Sequence, residues 1–323
     1  MKRYIALILC FVMAFSLCAC KGSDPAPSAQ PTAEPTPESS YAPVSFQNHG
    51  KRSTVSALPQ KVVTAGPNCT EVFCALGLED KVIGKCMENH SLSALPEYAE
   101  AVESIPTLSV GYPTAQQIID SGCDFLYASS WIFDDELTVA QLEKAGITVY
   151  VSEAVTIEAL WQELRDLGKV FLVDNIEEII SEQSTRLEAI TDKLGEITEP
   201  KSVFVLDSFI GDKLYTAGTA NIETACISAA GGSNAFGEIT KAWDAVEASA
   251  VVVADPWCIV IHDYEGSSYD DKVSALKADP QLSQLDCVKN ERFIRLSLED
   301  AMPGMRVIPT VEAIAQVLYP DKF

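Results

Sequence analysis

The sequence predicts an α/β fold: two lobes with mainly parallel sheets, joined by one long helix. Three observations lead there. Short β-branched runs alternate with helical periods along the chain, twice over, which is the pattern of parallel sheets covered by helices. Between the two halves, residues 174–199 read DNIEEIISEQSTRLEAITDKLGEITE, with Ile176, Ile179, Ile180, Leu187, Ile190, Leu194 and Ile197 on one stripe of helical spacing. The chain has 323 residues, 47% of them hydrophobic, enough for about two domain cores.

The N-terminus is expected to be an address rather than part of the fold. Lys2 and Arg3 precede an apolar run over 4–19, too short to span a bilayer comfortably. LCAC at 17–20 sets small residues directly before a cysteine. This resembles a bacterial lipoprotein signal, which implies a signal peptide at 1–19, cleavage before Cys20 and lipidation of its thiol, palmitate included. Residues 20–57 are expected to be a lipidated, disordered tether, because Pro, Ala, Ser, Thr and Glu dominate 21–43 and cannot bury a core. No other run is apolar enough to cross a membrane. The predicted body is therefore extracellular, held at the cell membrane through its N-terminal lipid alone.

The first lobe is assigned to 58–172. Strands are predicted at 61–65, 82–84, 124–129 and 147–152. Helices are predicted from 70 to 76, stopped by Gly77, and at 115–121, 137–145 and 157–170. The connecting helix takes 173–200. Asp174 is its expected cap, with Glu177 three residues on as a capping box, and Gly195 and Pro200 mark its end. About twenty residues at ~1.5 Å each span roughly 30 Å, so such a helix can brace two lobes. The second lobe, 201–323, repeats the style. Strands are predicted at 202–206, 258–261 and 293–296, and helices at 222–230, 273–278 and 307–318, with 246–254 leading into the second strand.

Charge and cysteine content narrow the function. The formal net charge is −23, which argues against nucleic acid or anionic lipid as partners. Of ten cysteines, Cys10, Cys18 and Cys20 lie in the signal region. The other seven are scattered through apolar stretches without a CxxC and read as small buried hydrophobes, not as a disulfide framework. In open parallel sheets of this Rossmann-like kind, ligands bind beyond the carboxyl ends of the strands. Those ends are 66–70, 86–91, 129–134, 207–219, 262–269 and 297–306. Two facing lobes would bring them to one cleft.

Several blocks, in order, carry a family resemblance: KVVTAGPNCTEVFCALGLEDKVIG, DFLYAS, LEKAGITVYVSE, LYTAGTANIETACISAAGGSNAF and MPGMRVIPTVEAIAQVLYPDKF. Over about 58–323 the chain resembles the periplasmic-binding-protein family for iron-siderophores, haem and corrinoids. The resemblance implies a monomeric receptor, not an enzyme, with no intrinsic cofactor. It would hold a metal chelate between two lobes and deliver it to an ABC permease and its ATPase.

Site residues follow from both lines. Tyr215 and Trp243 match positions where cobalamin-binding members place rings against their ligand, and broad apolar faces suit a corrin, a porphyrin or a catecholate. An aspartate and an arginine of those members fall near Leu298 and Met302 here and are not matched. Arg306 matches an arginine common at the start of the family's last helix, where it either pairs with an anionic ligand or serves the structure. Asn68, Tyr112, Trp131 and Tyr264 are expected in the cleft from their positions after strands. His90 and His262 follow predicted strands, one per lobe, and imidazole is a common transition-metal ligand. His49 falls in the tether and is given no role. The family presents a glutamate on each lobe to its permease; Gln116 and Ser249 occupy those places, with Asp120 and Glu247 nearby.

Two rival readings stay open. One is direct capture of a transition-metal ion, which would need His90 and His262 together. The other is a tethered chelatase-like enzyme. No GxSxG, HExxH, Walker loop or GxGxxG is present to favour catalysis.

Overall fold

The computed structural model describes residues 41–323. The signal peptide, Cys20 and the tether as far as residue 40 lie outside the described residues. Folding begins earlier than composition suggests. Strands β1 (Val44–Asn48) and β2 (Lys51–Val55) pair antiparallel as a hairpin. Its two-residue turn is His49-Gly50, both at positive φ (50° and 71°), which is what the strand-matching primed turns require. Phe46 and Val55 are buried, and the Phe46 ring meets Tyr150 at 4.9 Å. The Asn48 side chain donates to Val151 O at 2.8 Å and accepts from Val151 N at 2.7 Å. The tether expected over 20–57 therefore does not extend past residue 40. Alternating apolar residues in VSFQN outweigh the polar composition around them.

The first lobe comprises β3 (Val62–Ala65), α1 (Pro67–Ala75), β4 (Val82–Cys86), α2 (Ala99–Ser104), β5 (Thr107–Ser109), α3 (Ala115–Asp120), β6 (Phe125–Ser129), α4 (Val139–Lys144), β7 (Thr148–Ser152) and α5 (Ile157–Phe171). Its sheet is wholly parallel, in the order β5-β4-β3-β6-β7. Helix α1 starts at Pro67, three residues before the expected Thr70, because proline at the first helical position lacks only an N–H that would be unpaired there.

Helix α6 (Ile176–Leu194) is unbroken over 19 residues. Its expected cap is not formed: Asn175 holds the cap position without a side-chain bond, and Glu177 instead pairs with Arg165 of α5 at 2.8 and 3.0 Å. A bidentate pair to a neighbouring helix holds Glu177 away from a capping box. Gly195, at φ 57°, ends the helix as expected. Helix α5 approaches closely here, since a Cβ at Gly168 would lie 2.8 Å from Ile176.

The second lobe contains β8 (Lys201–Leu206), β9 (Ser208–Ile210), β10 (Lys213–Ala217), α7 (Ile222–Ala229), β11 (Gly232–Asn234), β12 (Trp243–Glu247), α8 (Ala248–Ala254), β13 (Cys258–Asp263), α9 (Tyr269–Ala278), α10 (Asp286–Lys289), β14 (Phe293–Ser297) and α11 (Val307–Leu318). Strands β11-β8-β13-β14 form a parallel sheet, and β12-β10-β9 a small antiparallel one not anticipated from the sequence. The lobes are not merely held apart by a rod. One continuous apolar core runs from Phe73 and Tyr127 through Leu167, Val170 and Ile190 to Ile227, Val311 and Ile314. All seven cysteines among the described residues are free and buried, and burial pushes thiols such as Cys86 up to about 12.

Candidate functional site

The carboxyl ends of both parallel sheets open onto one cleft of about 370 Å³. From the first lobe it takes His90 after β4, Ser129–Trp131 after β6 and Ser152–Val155 after β7. From the second it takes Asp207 after β8, the β10–β12 face, Tyr264 after β13 and the 298–303 segment after β14.

Aromatic rings dominate the walls. Tyr215 on β10 and Trp243 on β12 are diagonal neighbours in the antiparallel pair, since Tyr215 opposes Ala245 and Trp243 opposes Ala217. Their rings stack at 5.7 Å and 16°. In the other lobe, His90, Tyr112 and Trp131 meet at 5.1–5.7 Å. Tyr264 crosses from the second lobe to stack on His90 at 6.2 Å and 8°. Burial lowers the His90 pKa in spite of Asp207 and Glu265, so this ring is neutral near pH 7.

The cleft thus gathers His90, Tyr112, Trp131, Tyr215, Trp243 and Tyr264. Three other predicted site residues are elsewhere. Asn68 is 1% exposed; it donates to Pro303 O at 2.7 Å and accepts from Ser129 Oγ at 2.8 Å, tying the lobes behind the cleft. Arg306 is buried against Glu71 of the opposite lobe, with Nη2–Oε1 2.6 Å and Nε–Oε2 2.8 Å, and against Asp300 at 3.0 Å. Each of its three guanidinium nitrogens donates to a protein group, which supports the structural alternative over the anion-pairing one.

His262 is the third. It is fully buried, with Nδ1 3.0 Å from Asp207 Oδ1 and Nε2 3.0 Å from Glu223 Oε1. Burial alone would lower its pKa, but the Glu223 charge and hydrogen bonds to both carboxylates outweigh it and push it up to about 10. An imidazolium with both nitrogens donating has no lone pair for a metal. The His90–His262 metal pair is therefore not formed, and among the described residues no group of three or more His, Cys, Asp or Glu is placed to hold an ion. The bare-ion reading loses its ligands.

Sequence reasoning missed the acids that organise this region. Asp207 is the first polar residue after the apolar strand VFVL and reads as an ordinary loop acid. Glu223 and Glu163 look like ordinary helix-face charges until packing buries them. Glu163 of α5 sits beneath the 152–155 wall, accepting from Glu153 N at 2.9 Å, Ser152 Oγ at 3.2 Å and Tyr127 Oη at 3.4 Å. Burial outweighs those bonds and raises its carboxyl from 4.5 to about 7. The folded state then binds the extra proton, so this group's contribution is full below pH 4.5 and is lost as pH rises through 7. Glu163→Gln is expected to remove that loss, gaining about 3 kcal/mol over the parent at pH 8 and little at pH 4. Denaturant melts at the two pH values check it; equal differences at both would refute the assignment.

Two α/β lobes on one continuous helix, with an aromatic cleft between their strand ends, define a bilobal ligand-binding protein. The chain belongs to the periplasmic binding protein family, whose model matches residues 62–298. It is 26% identical over 327 residues to an uncharacterized ABC transporter substrate-binding lipoprotein, YvrC, of Bacillus subtilis, covering 99% of this chain and 97% of that protein. It is also 26% identical over 236 residues to a cobalamin-binding protein of Halobacterium salinarum, covering 70% of this chain and 59% of the other. Among solved structures, a periplasmic binding protein of Veillonella parvula superposes with TM-score 0.76 at 24% identity, over 86% of this chain and 98% of that one.

Proposed function

We propose that this protein is the substrate-binding lipoprotein of an ABC importer. It captures a metal chelate, a corrinoid, haem or ferric siderophore, between its lobes and delivers it to a membrane permease and its ATPase. It is a carrier, anchored through lipid on Cys20 at the extracellular face of the cell membrane. The observation that carries this reading is the stacked Tyr215–Trp243 pair facing the His90–Trp131–Tyr112 wall across the cleft. Two opposed aromatic surfaces suit a flat, largely apolar ligand. Gln116 on α3 and Ser249 on α8, both exposed, stand in the places of the family's paired glutamates, and delivery would use the neighbouring acids Asp120 and Glu247 instead. Asp120 and Glu247 are also exposed, with Asp120 accepting from Gln116 at 2.7 Å and Glu247 paired with Lys213 at 2.9 Å.

Titration with a panel of cobalamin, haem and ferric siderophores should quench tryptophan fluorescence, since Trp131 and Trp243 both line the cleft. Trp243→Ala is expected to weaken the best ligand by about thirtyfold, the loss of one central aromatic contact of ~2 kcal/mol. If no member of the panel binds below about 1 μM, some 8 kcal/mol, the carrier reading fails.

A further inference from the structure

The charges at the cleft have one sign. None of the described residues lining it is lysine or arginine, whereas Glu153 and Asp207 both line it. The nearby cations are spent on the protein. Arg306 is buried against Glu71, and His262 lies behind Asp207 with both nitrogens engaged. Lys272 is buried beneath the Tyr264 ring, 4.4 Å from its centre, and donates to His262 O at 2.7 Å. Lys241, near Tyr215, is held by Asp244 at 2.9 Å.

Asp207 is fixed and partly open to the cleft. His262 engages Oδ1, while Ser208 Oγ at 2.8 Å and Tyr264 Oη at 3.4 Å reach Oδ2. A carboxylate has about four acceptor positions, so one remains for a ligand. Burial pushes its carboxyl up, but the hydrogen bond and charge of His262, with Ser208 and Lys272, hold it below the usual range, keeping it ionised.

On the chelate-carrier reading above, we propose that the cleft selects flat chelates of zero or positive net charge. The favoured ligand turns a hydrogen-bond donor or cationic group toward Asp207, and polyanionic chelates of the same size are rejected. An anion entering here finds aromatic faces and two carboxylates, and no lysine or arginine among the described residues of the lining. A cation finds both ring faces and acceptors.

Two matched pairs of probes test this by fluorescence titration. One is zinc tetrakis(N-methylpyridyl)porphyrin against zinc tetrakis(sulfonatophenyl)porphyrin. The other is cobinamide, with amide side chains, against cobyrinic acid, with carboxylates. The cationic or amide member should bind about tenfold or more tightly, and raising salt should compress the porphyrin preference. Asp207→Asn and, separately, Glu153→Gln should each shrink it; the Glu153 carboxylate bonds His49 at 2.8 and 2.9 Å and not His262, so its variant tests the idea without disturbing His262. Equal binding of both members, or preference for the anions, overturns the charge selection and leaves the carrier reading standing. Binding of no probe, together with no binding of the nutrient panel, removes both.

Discussion

Arg306→Ala is expected to lower the unfolding free energy by about 3–5 kcal/mol, the usual cost of stripping one partner from a buried ion pair. Arg306 and Glu71 are 8% and 4% exposed at the side chain and come from opposite lobes. Around the same guanidinium lie Asp300 at 3.0 Å and Glu299 at 3.8 Å. Truncation would leave these acids close together with no cation among them. Glu299 Oε1 also accepts from Ser91 Oγ and Leu92 N, each at 2.9 Å, so the damage would reach a second lobe-to-lobe contact. Arg306→Lys should recover only part, because an ammonium cannot meet both Glu71 oxygens in the planar fork. The double change Arg306→Met with Glu71→Leu should recover part of the loss, since no carboxylate is then stranded at position 71 while Asp300 and Glu299 still lack their cation. Chemical denaturation reads all three; a single alanine variant within 1 kcal/mol of the parent would show that the cluster does not hold the lobes.

His262→Gln should cost a similar amount, about 3–5 kcal/mol, and should also change the pH dependence. The folded His262 pKa of about 10 lies above the ordinary 6.5. Its contribution is therefore fully present below pH 6.5 and is lost as pH rises through 10. The cleanest window is pH 7 to 8. Glu163, titrating near 7, and Lys272, lowered by burial from 10.5 to about 8, change stability with opposite signs across this interval and nearly cancel. Between 7 and 8 the parent should lose about 1.4 kcal/mol per pH unit, and the variant should be nearly flat. Trp243 packs edge-on over His262 at 5.8 Å and 79°, so ligand affinity should fall along with stability. A parent stability curve flat from pH 7 to 8 would mean that His262 is not held as a cation.

Legibility in the sequence followed the range of the interaction. The parallel strands and the connecting helix were readable because each is written in a local period of burial. Tyr215 and Trp243 were readable through family pattern, although the antiparallel pair that stacks them was not, because β10 and β12 are joined by pairing across some thirty residues of chain. The hairpin at 44–55 was hidden by short strands inside polar composition.

What the sequence determined by itself was the order of the main parallel strands and their helices, the two-lobed α/β class and the aromatic character of the loops after the strands, since these depend on periodicity and residue type. What tertiary structure alone decided was the role of each charged residue. His262, Arg306 and Glu163 look like any loop or helix charge in one dimension. Desolvation and a partner 55, 235 or 10 residues away turn them into a buried cation, a lobe-to-lobe clasp and a carboxyl with a raised pKa. The same burial takes both catches for a metal or an anion out of the cleft and leaves Asp207 and Glu153 facing it.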